Sequence, residues 1–219
     1  MTVQQRALRT RRRVLEAAAA VFDHHGFASA SIADILRAAN VTKGALYFHF
    51  PSKEALARGV MEEQKRALVL TNTGLHTQTV IDITQGVARL LRADPVLRAS
   101  FRLTVEQGAM GPEDPSLYLW WLGVCRTHLV QAGKAGELDG AADPDALAHL
   151  VVGSLTGVQL LSQVLSRRAD IGERLATWWR TVLPGMVADR VLPRLSPQGS
   201  DDLLAAVRGN GRGKEVGVR

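Results

Sequence analysis

The sequence predicts an all-α fold, with an N-terminal head of three helices followed by a larger helical body. Aromatic residues make up only 5% of the 219 residues, and the body is rich in alanine and leucine. Apolar residues recur at helical spacing, and clusters of turn residues are sparse. With 46% hydrophobic residues, the chain can bury an ordinary core in one or two domains.

Positive charge is concentrated at the two ends of the chain. The net charge is +6 and the sequence pI is near 10.1. Residues 1–53 hold eight Lys/Arg against three Asp/Glu, a net +5, and residues 208–219 add a net +3. The stretch between them is close to neutral, at −2. This distribution favours a phosphate-rich partner for the head.

The first predicted helix runs from Arg6 to His25 and ends at Gly26. Its apolar stripe comprises Val14, Leu15, Ala18, Val21 and Phe22. Its first turns carry five arginines and no acid, which is unfavourable for the helix dipole but suits contact with a nucleic-acid backbone. We therefore predict that Arg9 and Arg12 bind DNA. The alternative is an ordinary solvated basic face.

Two short helices joined by a three-residue turn follow, which is the sequence form of a helix-turn-helix. Ser31 can cap the first helix, which runs to Ala39, and Asp34 can reach back to the freed backbone amide. Asn40 tolerates the left-handed backbone of a helix end, and Thr42 can cap the second helix. Ser31 and Thr42 are included among the predicted DNA-binding residues.

The second helix, Lys43 to His49, is the predicted recognition helix. Lys43 can donate to guanine edges or phosphate, and Tyr47 can reach a phosphate oxygen. Gly44 has no side chain to hold the helix away from the groove, although a glycine in a first turn could simply be tolerated. His49 completes the predicted outward face, and the residues left for the core are Ala45, Leu46 and Phe48.

A linker helix is predicted from Lys53 to about Leu75, because Pro51 ends the recognition helix and Ser52 can cap the next one. Lys53 lies at its start, where the cation and free backbone amides can hold one phosphate together. The predicted DNA-binding head therefore spans residues 6–53, and the linker helix spans residues 53–75.

The stretch TKGALYFHFPSKEALA, Thr42 to Ala57, closely resembles the helix-turn-helix signature of TetR-type repressors. The cap, the turn, the Lys-Gly pair, the aromatic block and the start of the next helix occur in register, and the resemblance covers roughly residues 6–70. It implies a DNA-binding head attached to a helical domain for ligand binding and dimerisation.

The body is predicted over residues 77–207. Its predicted helices are Val80–Arg92, Val96–Gln107, Leu117–Gly133, Pro144–Arg168 and Asp170–Val191, with a short helix over 201–207. Loops are predicted at Gly108–Pro115 and Gly133–Asp143. The tail, residues 208–219, is rich in glycine and charge and is predicted to be disordered.

The last two long helices carry more apolar side chains than one buried stripe needs, and Gly153 and Gly157 permit close helix approach. TetR-type proteins pair such helices into a four-helix bundle, so the resemblance implies a homodimer on a palindromic operator. The predicted interface comprises Leu150, Val151, Leu155, Val158, Trp178, Val182 and Met186. The alternative is that both helix faces are buried within one subunit.

The stretch DPVLRASFRL, residues 94–103, and the helix with Trp121 resemble the ligand domain of the γ-butyrolactone receptors, a branch of the TetR family. The resemblance implies that Trp121 lines a pocket for a small lactone, and that Gln159 contacts the ligand. Apolar residues predicted to complete the pocket are Val87, Leu90, Leu91 and Val124. Trp121 could instead be core, and Gln163, Ser154 or a backbone carbonyl could satisfy Gln159.

Catalysis is not predicted, because the chain lacks a Gly-rich phosphate loop, a nucleophile elbow and a spaced His/Cys/Asp set. No cofactor or metal is predicted either. A single cysteine, Cys125, excludes an internal disulfide, suits the cytoplasm and is interpreted as a small core residue rather than a reactive thiol. Without a signal peptide or a run of about eighteen apolar residues, no membrane partner is expected.

These observations predict a transcriptional repressor that releases its operator when a small molecule binds the body. The effector would be a γ-butyrolactone, butenolide, furan or antibiotic-like molecule. The alternative is a ligand-independent dimeric regulator whose body serves only dimerisation.

Overall fold

The computed structural model describes residues 2–68 and 74–203, and this part of the chain is almost entirely helical. Its ten α-helices are α1 Val3–Ser29, α2 Ile32–Ala39, α3 Lys43–His49, α4 Lys53–Met61, α5 Glu63–Ala67, α6 His76–Ala93, α7 Pro95–Val105, α8 Ser116–Lys134, α9 Pro144–Ser166 and α10 Ile171–Val182. Within the described ranges, one antiparallel bridge pairs Leu138 with Val187. The predicted all-α class is confirmed.

Side-chain caps set the boundaries of the N-terminal helices, as predicted. The hydroxyls of Ser31, Thr42 and Ser52 accept hydrogen bonds from backbone N–H groups in the first turns of α2, α3 and α4. Asn40 ends α2 in the left-handed region at φ 49°. Gly26 interrupts α1 at φ 74°, which explains why the regular part of that helix stops where predicted.

Two predicted helices are shorter than expected. The linker helix does not run continuously from 53 to 75, since α4 ends at Met61, α5 ends at Ala67, and residues 74–75 are not helical. The predicted helix to Val191 ends at Val182, because Pro184 lacks the N–H that would continue its hydrogen bonds, and a short 3-10 turn, Leu183–Gly185, follows. Residues 201–203 are helical, whereas the rest of the predicted short helix and the tail lie outside the described residues.

The chain divides into two compact units that do not follow the predicted boundaries. The N-terminal unit contains the residues up to Ala67 together with Ala93–Leu117. The C-terminal unit contains Leu68–Arg92 together with the chain from Tyr118 onward. Helix α7 was predicted within the body, yet it packs with the head.

Helix α1 provides the centre of the N-terminal unit. The predicted stripe is buried throughout: Val14, Leu15, Ala18, Val21 and Phe22. Polar contacts also bind α7 to the end of α1. Arg98 Nε lies 2.8 Å from Asp23 Oδ2, and Arg102 Nη1 donates to the Asp23 carbonyl at 2.7 Å. Glu106 accepts from Arg102 Nε at 2.7 Å and from the Phe27 N–H at 2.9 Å. The carboxylate thereby satisfies a backbone donor at the Gly26 break.

The C-terminal unit has an apolar core to which α6, α8, α9 and α10 contribute. Its buried members include Ile81, Leu129, Val151 and Trp179. Cys125 also belongs to this core, and burial raises the pKa of its thiol to about 12. Its position supports the interpretation of Cys125 as a small core residue.

A polar ladder on α6 holds the segment 196–203, here called the strap. Gln78 exchanges hydrogen bonds with the backbone of Ser196, and Gln85 Nε2 donates to the Pro197 carbonyl at 2.8 Å. Asp82, with no exposed surface, accepts from the Ser200 N–H at 2.8 Å and from its hydroxyl at 2.5 Å. Leu203 at the end of the strap is fully buried. Buried polar groups on α6 are thus satisfied by backbone from the far end of the chain.

Candidate functional site

Helix α3 presents one face to solvent and buries the other. Lys43, Gly44 and Tyr47 are exposed, whereas Leu46 is fully buried and Phe50 is 3% exposed. Lys43 Nζ lies 5.9 Å from the centroid of the Tyr47 ring, so the cation and the phenol share this face. A Cβ added at Gly44 would have open space around it. The exposed face therefore offers donors and a close backbone approach.

The prediction that Phe48 faces the core is wrong. Its side chain is 80% exposed, and its ring lies edge-on to the His49 ring at 5.0 Å. Because a helix turns about 100° per residue, Phe48 shares a face with Gly44 and points away from Leu46. His49, predicted to point outward, is half-buried.

The predicted cap residues have structural roles that occupy their hydroxyls. Ser31 Oγ accepts from the Asp34 N–H at 3.1 Å and donates to Asp34 Oδ2 at 2.6 Å. That donated bond holds the pKa of Asp34 below its ordinary value, and Arg37 pairs with the same carboxylate at 2.9 Å. Thr42 Oγ1 accepts from the Ala45 N–H at 3.2 Å. Both residues position their helices.

The basic residues of the N-terminal unit are in differing environments. Arg9 and Arg12 are exposed on α1, and Arg12 Nε lies 2.8 Å from Glu16 Oε1. Arg11 lies over the Phe50 ring at 4.9 Å. Lys53 Nζ lies 4.4 Å from the Phe27 ring centroid and donates to the Ala28 carbonyl at 3.4 Å. Lys53 thus also connects the start of α4 to the end of α1.

The six predicted pocket residues lie in the C-terminal unit. They do not belong to the apolar core cluster that contains Ile81, Leu129 and Trp179. Trp121, Val87 and Leu91 are buried, with exposures of 5%, 4% and 0%, whereas Leu90 and Val124 are half-buried. The Trp121 ring lies 4.9 Å from the Trp120 ring at an interplanar angle of 73°.

Among the predicted pocket residues, Gln159, on the inner face of α9, has unusual hydrogen bonding. It is 1% exposed, and its Oε1 atom has no hydrogen-bond partner among the described residues. Gln163 and Ser154, which could satisfy this amide, do not pair with its Oε1 atom. Gln163 Oε1 instead accepts a hydrogen bond from Arg168 Nη2 at 2.6 Å. An unpaired buried amide oxygen costs free energy unless another molecule supplies a donor.

Helix α9 exposes a continuous apolar stripe. Its members at helical spacing are Leu150, Leu160, Leu161, Val164 and Leu165, with Gly153 and Gly157 also exposed on the helix. By length and composition this helix could also cross a membrane, but these two properties alone are weak evidence for a membrane span. In its most apolar stretch of 18 residues, 28% is buried. The stripe supports the inference that part of this helix faces another surface.

The predicted interface residues divide between this stripe and the core. Leu150 is 45% exposed, and Val158, Trp178 and Val182 are half-buried. Three of the predicted interface residues are buried within the chain itself and are therefore not available to a partner subunit: Val151, Leu155 and Met186. Val151 and Leu155 lie on the inner face of α9, and Met186 follows the end of α10 in the core of the C-terminal unit. In the sequence, the helical spacing of Gly153, Gly157 and Leu161 indicates the outer face of α9.

Two family profiles match the chain. Residues 14–60 match the bacterial regulatory proteins of the TetR family, and residues 75–188 match a tetracycline-repressor-like C-terminal domain. The A-factor receptor protein of Streptomyces griseus is 38% identical over 221 aligned residues, which cover 100% of this chain and 79% of the receptor.

Solved structures show the same similarity. Full-length TylP, a TetR regulator from Streptomyces fradiae, superimposes with a TM-score of 0.82 at 40% identity, covering 99% of this chain and 96% of TylP. CprB from Streptomyces coelicolor, solved with its operator sequence, gives a TM-score of 0.71 at 30% identity, covering 93% and 97%. The chain belongs to the TetR family of DNA-binding transcriptional regulators.

Proposed function

We propose that this regulator binds a palindromic operator as a homodimer, represses transcription there, and leaves the DNA when a small effector occupies its C-terminal unit. The observation that carries the proposal is the buried, unpartnered Oε1 of Gln159 in a chain that otherwise resembles a receptor over its full length. A domain that served only dimerisation would have no reason to keep this atom unpaired.

The DNA-binding half of the proposal uses the exposed face of α3. Lys43 would donate to a base edge or a phosphate, Tyr47 would reach a phosphate, and Gly44 would let the backbone approach the groove. Arg9, Arg12 and Lys53 would contact phosphates, and His49 would lie at the edge of this surface. Two copies of α3 need two-fold symmetry to read successive half-sites. The exposed stripe of α9 would supply the contact between subunits.

The effector half of the proposal uses Trp121 and Gln159. The indole offers a flat apolar wall, and the apolar remainder of the pocket would come from Val87, Leu90, Leu91 and Val124. Because the unpaired Gln159 atom is an acceptor, the effector would supply a hydroxyl donor to it. A small γ-butyrolactone, butenolide, furan or antibiotic-like molecule that carries a hydroxyl group meets this description. Its binding would favour a conformation with lower operator affinity.

A mobility shift with the purified protein tests both halves. The DNA would be the promoter of its own gene and neighbouring intergenic regions, with and without an organic extract of the source culture. We expect a retarded band that the extract releases. A band that no extract releases would support the ligand-independent alternative, and the absence of any band would count against operator binding at these sites.

Two lysine variants test the residue assignments. Lys43→Ala should weaken operator binding by about 1 to 3 kcal/mol and relax base preference, since a base contact discriminates between sequences. Lys53→Ala should weaken all sequences alike and reduce the salt slope by about one. Wild-type affinity in Lys43→Ala would refute the recognition-helix assignment.

A further inference from the structure

Phe48 is the most exposed large apolar side chain described in the N-terminal unit. It is 80% exposed, compared with 62% for Leu8 and 44% for Val105. Burial within the subunit does not stabilise the exposed phenyl ring of Phe48. The ring also has no polar atom that could form a hydrogen bond with water. On the predicted recognition helix, an exposed ring of this size is available to contact an apolar group of a partner.

The surroundings of Phe48 restrict what that partner can be. Gly44 lies one helical turn before it and leaves open space, while Lys43 and Tyr47 lie beside this pair on the same helix. No Asp or Glu occurs between Ile35 and Lys53, so the surface carries no acid of its own helix. A cation, a phenol and an aromatic ring on one helix face match an anionic surface that also bears small apolar groups.

The major groove of DNA combines these features. Phosphates line its edges, and thymine alone among the four bases presents a C5-methyl group there. We propose that Phe48 reads the C5-methyl group of a thymine in each operator half-site, next to the contact made by Lys43. This inference rests on the proposed function and adds a base preference to it.

Replacing thymine by deoxyuridine tests the contact, because this change removes the methyl group and leaves the hydrogen-bonding edge intact. Duplexes selected by the wild-type protein from a random-sequence pool would be resynthesised with deoxyuridine at one thymine pair at a time. At one symmetric position we expect the wild type to bind about fourfold more weakly, the worth of roughly one buried methyl group. Phe48→Ala should bind thymine and deoxyuridine duplexes equally.

Two further variants separate this contact from a general loss of binding. Phe48→Leu should keep part of the preference for thymine, because an aliphatic side chain still contacts a methyl group. Val105→Ala, an exposed apolar substitution on α7, should leave the preference unchanged. Circular dichroism would establish that all variants fold.

The outcomes are distinguishable. A thymine preference that persists in Phe48→Ala, or a wild type indifferent to deoxyuridine at every position, would overturn the inference while leaving operator binding intact. A wild type that selects no duplex from the pool would refute the proposed function itself.

Discussion

Helices α6 and α9 have opposite relations between composition and burial. Helix α6 carries Thr77, Gln78, Asp82 and Gln85, yet all four are buried. Helix α9 is much more apolar, yet Leu161, Val164 and Leu165 are 58%, 82% and 66% exposed. Burial in this chain therefore follows the partners available to each helix face and not its hydropathy.

The partners explain both cases. Helix α6 finds backbone donors and acceptors in the strap, and the backbone N–H of Thr77 in its first turn donates to the Glu137 carboxylate at 2.8 Å. Among residues 2–68 and 74–203, α9 is buried through its inner face, and its outer stripe stays exposed. A second copy of α9 would supply one, because a two-fold axis places identical stripes against each other.

A charge in the α9 stripe should have the largest effect. Leu161→Arg would place an unpaired guanidinium in the proposed interface, and two-fold symmetry would place it there twice. We expect dimerisation to weaken by about 5 kcal/mol, which would give a monomer in analytical ultracentrifugation at micromolar concentration.

Val105→Arg is the matched control, since it adds the same charge to an exposed apolar position of α7. It should leave the sedimentation of the protein unchanged. If Leu161→Arg sediments like the wild type, the stripe is not the dimer interface, and the exposure of α9 needs another explanation.

Removal of Asp82 should have the next largest effect, on α6. Asp82→Ala would leave three hydrogen bonds without an acceptor, from Gln78 Nε2 and from the N–H and hydroxyl of Ser200. Because some of these donors would stay buried, we expect the free energy of unfolding in urea to fall by about 3 kcal/mol. Asp189→Ala, at an exposed aspartate, should change it by less than about 0.5 kcal/mol. Equal stability of the two variants would mean that the strap contributes nothing.

Local signals predicted the helix-turn-helix well, because single residues determine its boundaries. The hydroxyl caps at Ser31 and Thr42 and the left-handed Asn40 act within one helical turn. The residues next to them in the sequence are therefore enough to predict them. Hydrophobicity alone predicts a core position for Phe48, but its place about 200° around the helix from buried Leu46 directs it to solvent.

Long-range contacts limited the rest of the prediction. Gln78 and Ser196 are 118 residues apart, and nothing local to either residue indicates that they meet. The same holds for α7, whose Arg98 and Arg102 pair with the end of α1 although the sequence places them in the body. The face of α9 that closes the subunit depends on which helices it meets, so Val151 and Leu155 could not be separated from Leu161 by hydropathy alone.

The smallest expected effect sharpens the comparison within α9 itself. Gln159→Leu removes a buried acceptor that has no partner, so we expect the effector-free protein to become about 1 kcal/mol more stable in urea unfolding. The same variant should require more extract to release DNA in the mobility shift. Gln163→Leu is the matched contrast one turn later, because it breaks a bond to Arg168 and should destabilise the protein. If Gln159→Leu is less stable than the wild type and responds normally to extract, the amide belongs to the structure, and the pocket assignment loses its polar contact.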